Sequence, residues 1–351
     1  MTNVKTILMS GRAKGAERPR VRRRVELMDF RPRLSRALGS MTLALAAWTW
    51  GLPTLAAEPG QSAEAAEISP LTMPPVTRSE VKVDTRTYEI FVTRPPTPPP
   101  PEGFPLLVVL DANVHFATAA MSAYIRSTYG DIAPIVVVGV GYPAADNNQL
   151  QARRSVDFTN PLTSKSSDPY FADKTAGGAA AFRDQVLATV LQRMDAQEHI
   201  NPKCHVLFGH SLGGLFVVDT AFRKTGMFEG YFAASPSLHF DHAEILNRIP
   251  TPAQWAAQLT SPVRLHLEVG LKEASLSDSL VKRMPVYATA PNYRQVSNFG
   301  RLTENLWDER VPKLQVTSEV LNDESHVSEL PRVIGEAITF ASECPSSGPA
   351  S

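Results

Sequence analysis

The sequence has few cysteines, and neither lies in a metal-ligand pattern. Cys204 and Cys344 are the only two, and no C-x-x-C spacing is present, so the sequence indicates no cysteine-based metal site. We expect two separately buried thiols. In an oxidising compartment the alternative is a disulfide that ties the last helix to the sheet.

The chain also has no net charge, but its charged residues are unevenly distributed. It contains 35 Lys/Arg and 35 Asp/Glu, and residues 1–56 hold 11 of the basic and 3 of the acidic residues. The rest of the chain is therefore acidic, with 24 basic against 32 acidic residues. Because binding a phosphate backbone needs a basic surface, this excess of acid argues against nucleic acid as a partner.

No hydrophobic run is long enough for a comfortable membrane span. The run Met41–Ala56 is interrupted by Gly51 and Pro53, follows a series of arginines and precedes small residues. This is the order of an export signal, with cleavage after Ala56 or Ala57, and an uncleaved anchor is the alternative. We predict a periplasmic or secreted protein with no stable membrane span after cleavage.

Beyond this signal, short apolar runs alternate with helical segments. The runs have the composition of buried strands and include FPLLVVLDAN, APIVVVGVGYP, CHVLFGHS, GYFAASPS, VRLHLEVG and KLQVTSEVL. Strands that alternate with helices predict one doubly wound, mostly parallel α/β domain, which we place at residues 77–343. We assign residues 1–57 to the export signal and basic extension, 58–76 to a disordered linker, and 344–351 to a disordered tail.

The segment Gly209-His210-Ser211-Leu212-Gly213 has the pattern G-x-S-x-G between an apolar strand and a helical run. That placement is the one required for a nucleophile elbow, in which a strained turn exposes a serine at the edge of the sheet. The sequence therefore predicts Ser211 as a nucleophile. A structural glycine-rich loop is the alternative.

A catalytic serine needs a base and an acid, which in this arrangement follow it in the order acid, then histidine. Of the eight histidines, His326 is in the right place, in the loop between the last strand and the closing helix. Glu273, just after VRLHLEVG, is the predicted acid. Asp241 and Glu244 are alternatives, and so is a two-member Ser–His site. Glu268 lies inside the strand VRLHLEVG, where we expect its side chain to cover one face of the sheet rather than to act as the acid.

An oxyanion hole requires two backbone N–H groups. One is predicted from Leu212, the residue after the nucleophile, and the other from Ala112, Asn113 or Val114 in the loop after LLVVLD. The Asn113 side chain is a further candidate donor. His115, near this loop, and His239, after the ASPS strand, are candidates for substrate contact.

In chain order, these segments resemble the putative-esterase family of α/β hydrolases and, within it, the ferric-siderophore (enterobactin-type) esterases. The segments that carry the resemblance are LDANVHF, VVVGVGYP, RRSVDFTNP, GGAAAF, GHSLGGLF, AASPSLHF, EVGLKE and ESHVSELP. The resemblance implies hydrolysis of a carboxylic ester through an acyl-enzyme on Ser211 with His326 as base. It also makes Arg154 a candidate for contacting an anionic substrate, with a salt bridge to Asp157 as the alternative.

The chain departs from the family pattern at two places. DAN replaces the family's DGN after the third strand, and SPSLHF replaces SPSLWW in the wall of the pocket. The second change bears on which ester fits rather than on the chemistry. We expect the segment 273–312 to cover the site, with aromatic residues Tyr287, Tyr293, Phe299 and Trp307.

Other functions share this scaffold. An acyltransferase, a peptidase or a thioesterase uses the same acyl-enzyme or the same nucleophile, because the residues do not fix the leaving group. From a different class, a non-catalytic exported protein that binds a ligand is the alternative. The predicted partner is a small-molecule ester, and the sequence indicates no metal or organic cofactor.

Overall fold

The computed structural model describes residues 74–143, 146–163, 175–223, 226–276, 278–283, 294–306, 311 and 313–343. These residues belong to one compact unit, Ser69–Ser351. The predicted export signal, the linker before residue 74 and the tail 344–351 lie outside the described residues, as does the whole of the other unit, Met1–Ile68.

The strands form one sheet in the order β1-β2-β4-β3-β5-β6-β7-β8. Their bounds are β1 Val76–Val83, β2 Arg86–Thr93, β3 Phe104–Leu110, β4 Val136–Gly141, β5 Ile200–His210, β6 Gly230–Ala234, β7 Val263–Gly270 and β8 Leu314–Leu321. The pairs β1–β2 and β2–β4 are antiparallel, and all other neighbours in the sheet are parallel. The predicted doubly wound, mostly parallel α/β fold is confirmed.

Helices cover both faces of this sheet. The α-helices are α1 Ala112–Thr128, α2 Asn147–Asp157, α3 Ala179–Ala181, α4 Ala188–Gln197, α5 Leu212–Arg223, α6 Phe240–Ala243, α7 Pro252–Gln258, α8 Asp278–Arg283, α9 Gln295–Leu306 and α10 Leu330–Ser342. A π-helical turn, Phe182–Leu187, joins α3 to α4, and 3₁₀ turns occur at Glu244–Arg248 and Leu271–Ala274. No helix in the described ranges combines the length and the apolar character needed to cross a membrane.

Two apolar cores lie on opposite faces of the sheet. Residues of α1 and α10 pack with alternate side chains of β3, β5 and β6 in one core. Residues of α4, α5, α7 and α9 pack against the other face in the larger core. Every residue of β3 and β4 is buried, as expected for central strands covered on both sides.

The parallel strands end at one edge of the sheet, which is where open α/β sheets bind ligands. The loops or turns after β3, β5, β6, β7 and β8 all leave from this edge. They carry, in that order, Asp111, Ser211, Ser235, Glu273 and His326. The fold thus brings together residues from five separate parts of the chain.

Cys204 lies on β5, is buried and takes part in a disulfide. The expectation of two separately buried thiols was therefore wrong. Cys344, the other cysteine of the chain, lies outside the described residues. Sequence does not reveal such a pairing because it does not give the distance between two strands or helices.

Candidate active site

Ser211 lies at the turn between β5 and α5 and has a left-handed backbone, with φ of 61°. This conformation is strained for a residue with a side chain. The turn also needs glycine at Gly209, where a Cβ would collide with the backbone of Gly213, and at Gly214, where it would approach the Ala234 carbonyl oxygen to 2.8 Å. The G-x-S-x-G segment therefore forms the sharp strand-to-helix turn predicted from the sequence.

His326 faces Ser211 across this edge. Its Nε2 lies 3.0 Å from the Ser211 Oγ, although the two residues come from the last loop and the middle of the chain. The loop that carries His326 is fixed by a hydrogen bond from the neighbouring His210. The His210 Nε2–H donates to the backbone oxygen of His326 at 2.7 Å. Burial, together with the nearby His326, holds the pKa of His210 well below its usual value. His210 is therefore a neutral support for the loop.

Glu273 completes a hydrogen-bonded chain with these two residues. Its Oε2 lies 2.7 Å from the His326 Nδ1. Its Oε1 accepts from the Gly270 N–H at 3.1 Å and from the Ser235 hydroxyl. With only 3 % of its surface exposed, the carboxylate is fixed in orientation by these donors.

The alternative acids predicted from the sequence have other partners. Asp241 accepts from the Thr163 N–H at 2.9 Å, and Glu244 accepts from the Asn247 side chain at 2.8 Å. Of the three candidate acids, Glu273 is the one in contact with His326.

The candidate oxyanion donors come from the first turns of two helices. Leu212 begins α5, and Ala112 and Asn113 begin α1, so their N–H groups belong to first turns that lack helical acceptors. The Asn113 side chain is engaged elsewhere, since its Oδ1 accepts from the Tyr142 N–H at 2.8 Å and its Nδ2 donates to the Tyr142 oxygen at 2.9 Å. Asn113 is therefore a candidate oxyanion donor through its backbone N–H and not through its side chain.

Arg154 binds the residue just before this first turn of α1. Its Nε and Nη2 donate to Asp111 Oδ1 and Oδ2 at 2.9 and 2.7 Å, and both side chains are buried. Asp157, which was the alternative partner, instead accepts from Arg86 and Tyr88 at 2.8 and 3.0 Å. The structure thus joins Arg154 to the oxyanion loop.

The two candidate histidines for substrate contact differ in their surroundings. His115 is buried, and its ring lies edge-on to His210 with 5.7 Å between the centroids. Burial lowers its pKa. His239 is half-buried and directly precedes α6. His115 is thus a packing residue behind the site, whereas His239 remains beside the loop after β6.

The loop after β6 also contributes residues that the sequence did not single out. The Ser237 Oγ lies 3.3 Å from the Ser211 Oγ, and the Ser237 N–H donates to the Ser211 oxygen at 3.0 Å. Ser235 binds Glu273, as described above. The ASPS segment was visible in the sequence, and the adjacency of β5 and β6 is what places it against the elbow.

Glu329, at the start of α10, is a further unpredicted neighbour. It is fully buried, with Oε1 3.6 Å from the His210 Nε2. Burial is the main cause that raises the pKa of Glu329 to about 8, and the nearby charges of Glu273 and Glu324 add to this. The Glu329 carboxyl group is therefore protonated at neutral pH and lies beside His210, close to the Ser–His–Glu chain.

The predicted covering segment is described only in part. Phe299 on α9 is buried, and the Gln295 side chain donates to the Pro236 oxygen, which fixes the start of α9 next to the loop after β6. Tyr287, Tyr293 and Trp307 lie outside the described residues.

Comparison with known proteins agrees with this geometry. The family model named "Putative esterase" matches residues 83–326, which include Ser211, Glu273 and His326. The chain belongs to the putative-esterase family. As a member of this family, it is an esterase.

Individual relatives extend the comparison. The chain is 30% identical over 265 residues to the ferri-bacillibactin esterase BesA of Bacillus subtilis, which covers 74% of this chain and 86% of that protein. It is 30% identical over 252 residues to the siderophore enterobactin esterase of Emericella nidulans, covering 67% and 80%. Among solved structures, the siderophore hydrolase EstA from Aspergillus nidulans superimposes with a TM-score of 0.66 at 25% identity, over 80% of this chain and 99% of that one. The esterase has the α/β-hydrolase fold of these proteins.

Proposed function

We propose that this esterase hydrolyses carboxylic esters of the siderophore type through an acyl-enzyme on Ser211. The observation that carries the proposal is the hydrogen-bonded chain from Ser211 Oγ through His326 to Glu273, with distances of 3.0 and 2.7 Å. These distances lie within the range needed for proton transfer from a nucleophile to a base and for orientation of that base by an acid.

In the acylation step, His326 Nε2 takes the proton of the Ser211 hydroxyl while Oγ bonds to the ester carbonyl carbon. The carbonyl oxygen becomes an oxyanion, which accepts hydrogen bonds from Leu212 and from the first turn of α1. The bond to the alcohol oxygen then breaks, and His326 returns the proton to the departing alcohol. Glu273 stabilises the imidazolium that exists between these two transfers.

In the deacylation step, water replaces the serine hydroxyl as the nucleophile. His326 takes one proton from the water as its oxygen bonds to the acyl carbon. Collapse of the second tetrahedral intermediate breaks the bond to Ser211 Oγ, which regains its proton from His326. The low pKa of His210, only one residue from the nucleophile, supports this scheme because a neutral His210 places no second positive charge beside the imidazolium.

The substrate class is supported by the relatives, whose names describe esterases of ferri-bacillibactin and of enterobactin. A siderophore of this kind is a large ester. The loop after β6 forms part of the pocket wall and so affects which siderophore fits. His239, half-buried at the position of the family's first aromatic residue in SPSLWW, changes the wall of that pocket. We assign it a role in selecting the substrate.

We also propose that the protein is exported to the periplasm or the medium. The disulfide of Cys204 supports this, because disulfides persist in oxidising compartments. The basic, apolar and small-residue order of residues 1–57 supports it as well. N-terminal sequencing of protein recovered from the periplasm or medium tests the proposal, with a new terminus near Glu58 expected and an intact Met1 contradicting cleavage.

The central experiment compares Ser211→Ala with Ser237→Ala, since the two hydroxyls lie 3.3 Å apart. Ser211→Ala is expected to abolish turnover of p-nitrophenyl esters and of a catecholate trilactone without changing the melting temperature. A fluorophosphonate probe is expected to label the wild type and Ser237→Ala but not Ser211→Ala. Retained turnover in Ser211→Ala overturns the nucleophile, whereas wild-type activity on short acyl esters alone overturns the siderophore class.

A further inference from the structure

Three metal-ligating side chains lie together on the face of the sheet that packs against α10. His266 and Glu268 are two residues apart on β7, and Glu336 projects from α10. One ligand atom from each, a ring nitrogen and two carboxylate oxygens, lies within 4.8 Å of the other two. On the opposite face of the same strand, Leu265 and Leu267 belong to the larger core. Arg264, His266 and Glu268 alternate along β7, so the face of the strand toward α10 is polar whereas the other face is apolar.

The imidazole of His266 is oriented like that of a metal ligand. Its Nδ1 lies 2.7 Å from the Thr317 Oγ1, on the adjacent strand β8, and its Nε2 lies 2.8 Å from the Glu268 Oε1. A metal-binding histidine characteristically donates one ring N–H to such an oxygen, and its other nitrogen, here Nε2, faces the neighbouring ligand.

Glu268 is the least ordinary member of the cluster. Its side chain is fully buried, and no N–H or hydroxyl group of the described residues donates to its Oε2. A carboxylate in this position needs a proton or a cation beside it, because a buried and uncompensated charge is very unfavourable.

The cluster is accessible from solvent. A cavity of about 600 Å³ opens next to it, and His266, Thr317 and Glu336 line its wall. The cavity provides an entry path for an ion and room for a water molecule as a fourth ligand. Two arginines reach the same region, and both are engaged: Arg264 lies over the Phe340 ring at 4.2 Å, and Arg332 binds Glu319 and Glu336.

We propose that His266, Glu268 and Glu336 bind a divalent transition-metal ion of the zinc type. One imidazole with two carboxylates suits such an ion, whereas calcium and magnesium favour oxygen ligands throughout. The ion lies on the α10 face, away from Ser211, and no step of the ester hydrolysis passes through it.

The ion would join the two elements that support the catalytic residues. Strand β7 leads directly into the turn that carries Glu273, and α10 follows the loop that carries His326. The backbone oxygen of Glu268 also accepts from the Ser235 N–H at 2.8 Å, and the Ser235 hydroxyl binds Glu273. A metal between β7 and α10 therefore stabilises the relative position of the acid and the base.

The test uses the full-length protein without a histidine tag, treated with EDTA and then dialysed. Calorimetric titration with zinc chloride is expected to show one saturable site, together with a rise in melting temperature. Magnesium and calcium chlorides are expected to produce neither effect. No saturable zinc binding overturns the proposal.

Two substitutions and a matched control locate the site. His266→Gln and Glu268→Gln are each expected to weaken zinc binding by at least about tenfold, the scale on which metal-site contacts act. Glu319→Gln is the matched control, because Glu319 also binds Arg332 on the same face but is not a member of the trio; it is expected to retain the wild-type affinity. If Glu268→Gln fails to fold, Glu336→Gln replaces it, because Glu336 is half-exposed on α10 and its substitution is also expected to weaken zinc binding.

Zinc bound at the catalytic histidine is a separate outcome. His326→Gln is expected to leave the titration unchanged. Loss of zinc binding in His326→Gln, with wild-type affinity in both His266→Gln and Glu268→Gln, assigns the ion to the catalytic site and overturns the proposal. Because zinc binding and ester turnover are measured separately, neither proposal depends on the other.

Discussion

Arg154 and Asp111 form a buried ion pair through two parallel hydrogen bonds of 2.9 and 2.7 Å. Asp111 ends the connection from β3 to α1 with a φ of 52°, and Ala112 and Asn113 follow it directly. The guanidinium therefore holds the residue whose backbone determines where the candidate oxyanion donors point. This makes Arg154 a positioning residue for the oxyanion loop.

Replacing Arg154 with lysine keeps the charge but removes the planar fork that binds both carboxylate oxygens. We expect kcat to fall by about 10- to 100-fold with little change in KM, since a small displacement of a catalytic group has effects of this size. The loss should be equal for neutral and anionic esters. A rise in KM confined to anionic esters would instead assign Arg154 to substrate binding.

Arg153→Lys is the matched control for that substitution. Arg153 is adjacent on α2, but its guanidinium lies over the rings of Tyr88 and Tyr142 and donates to the Thr87 oxygen. Its replacement should leave kcat close to that of the wild type, and both variants should be compared by melting temperature to exclude unfolding.

Glu273→Gln tests the role of the acid. An amide placed at the Glu273 carboxylate can donate to the His326 Nδ1, which favours the tautomer with a proton on Nε2, facing Ser211. We expect kcat to fall by about 10³- to 10⁴-fold, as for the equivalent change in Ser–His–Asp enzymes. Steady-state kinetics with a p-nitrophenyl ester measures this.

The control for this experiment is Glu324→Gln. Glu324 lies near the same loops, but its carboxylate accepts from Ser328, so its substitution should change kcat little. A Glu273→Gln enzyme with nearly full activity contradicts the three-member site and favours a Ser–His dyad.

Glu329 makes the free energy of unfolding depend on pH. Its pKa is raised from 4.5 to about 8 in the folded protein, so the folded state holds a proton that the unfolded state releases. Stability from this group is present at low pH and is lost as the pH rises toward about 8, by at most about 1.4 kcal/mol per pH unit. Glu329→Gln, a neutral mimic of the protonated acid, should remove this loss.

Urea unfolding of the wild type and Glu329→Gln between about pH 5 and pH 9 measures the difference. The titratable groups around Glu329 are His210, Glu273, Glu324 and Glu268. The pKa of His210 is well below its usual value, and that of Glu268 is well above. The contribution of Glu329 is the difference between the two proteins in how the free energy of unfolding changes with pH. If the free energy of unfolding of both proteins changes with pH in parallel, the prediction is contradicted.

Cys204→Ser should lower the free energy of unfolding by about 2–5 kcal/mol, the usual effect of removing a native disulfide. Melting curves with and without reductant measure it. The wild type is expected to melt at a lower temperature once reduced, whereas Cys204→Ser should be insensitive to reductant. Equal sensitivity in both proteins would show that the disulfide does not stabilise the fold.

The sequence predicted those features of the fold that depend on local patterns. Continuous apolar runs such as FPLLVVL are buried central strands in the structure, because a strand covered on both faces has no polar side. The G-x-S-x-G turn was likewise predictable, since the glycines are required by close backbone contacts near Ser211. The chain order then led to Glu273 and His326, which do lie in contact with each other.

Features that depend on contacts between distant loops were not predicted. Ser237 lies next to Ser211 because β5 and β6 are neighbours in the sheet. Arg154 binds Asp111 rather than Asp157 because its side chain reaches from α2 to the residue that follows β3. Both depend on the order of strands and the packing of helices, which a pattern along one segment does not specify.

The same reasoning applies to the cluster at His266, Glu268 and Glu336. The spacing of the first two places them on one face of β7, and this was visible in the sequence. The third ligand comes from α10, and the alignment of that helix with the strand has no local signal. A two-residue spacing alone therefore indicated only a polar face.

The hydrogen bond from His210 to the backbone of His326 has a consequence for the timing of catalysis. It joins the turn that carries the serine to the loop that carries the histidine before any substrate is present. The conformational entropy of ordering that loop is lost once, during folding, and not again in each catalytic cycle. The proton acceptor His326 is therefore already in position when the ester binds. The slow steps of turnover are then expected to be the binding of a large substrate and the release of its products.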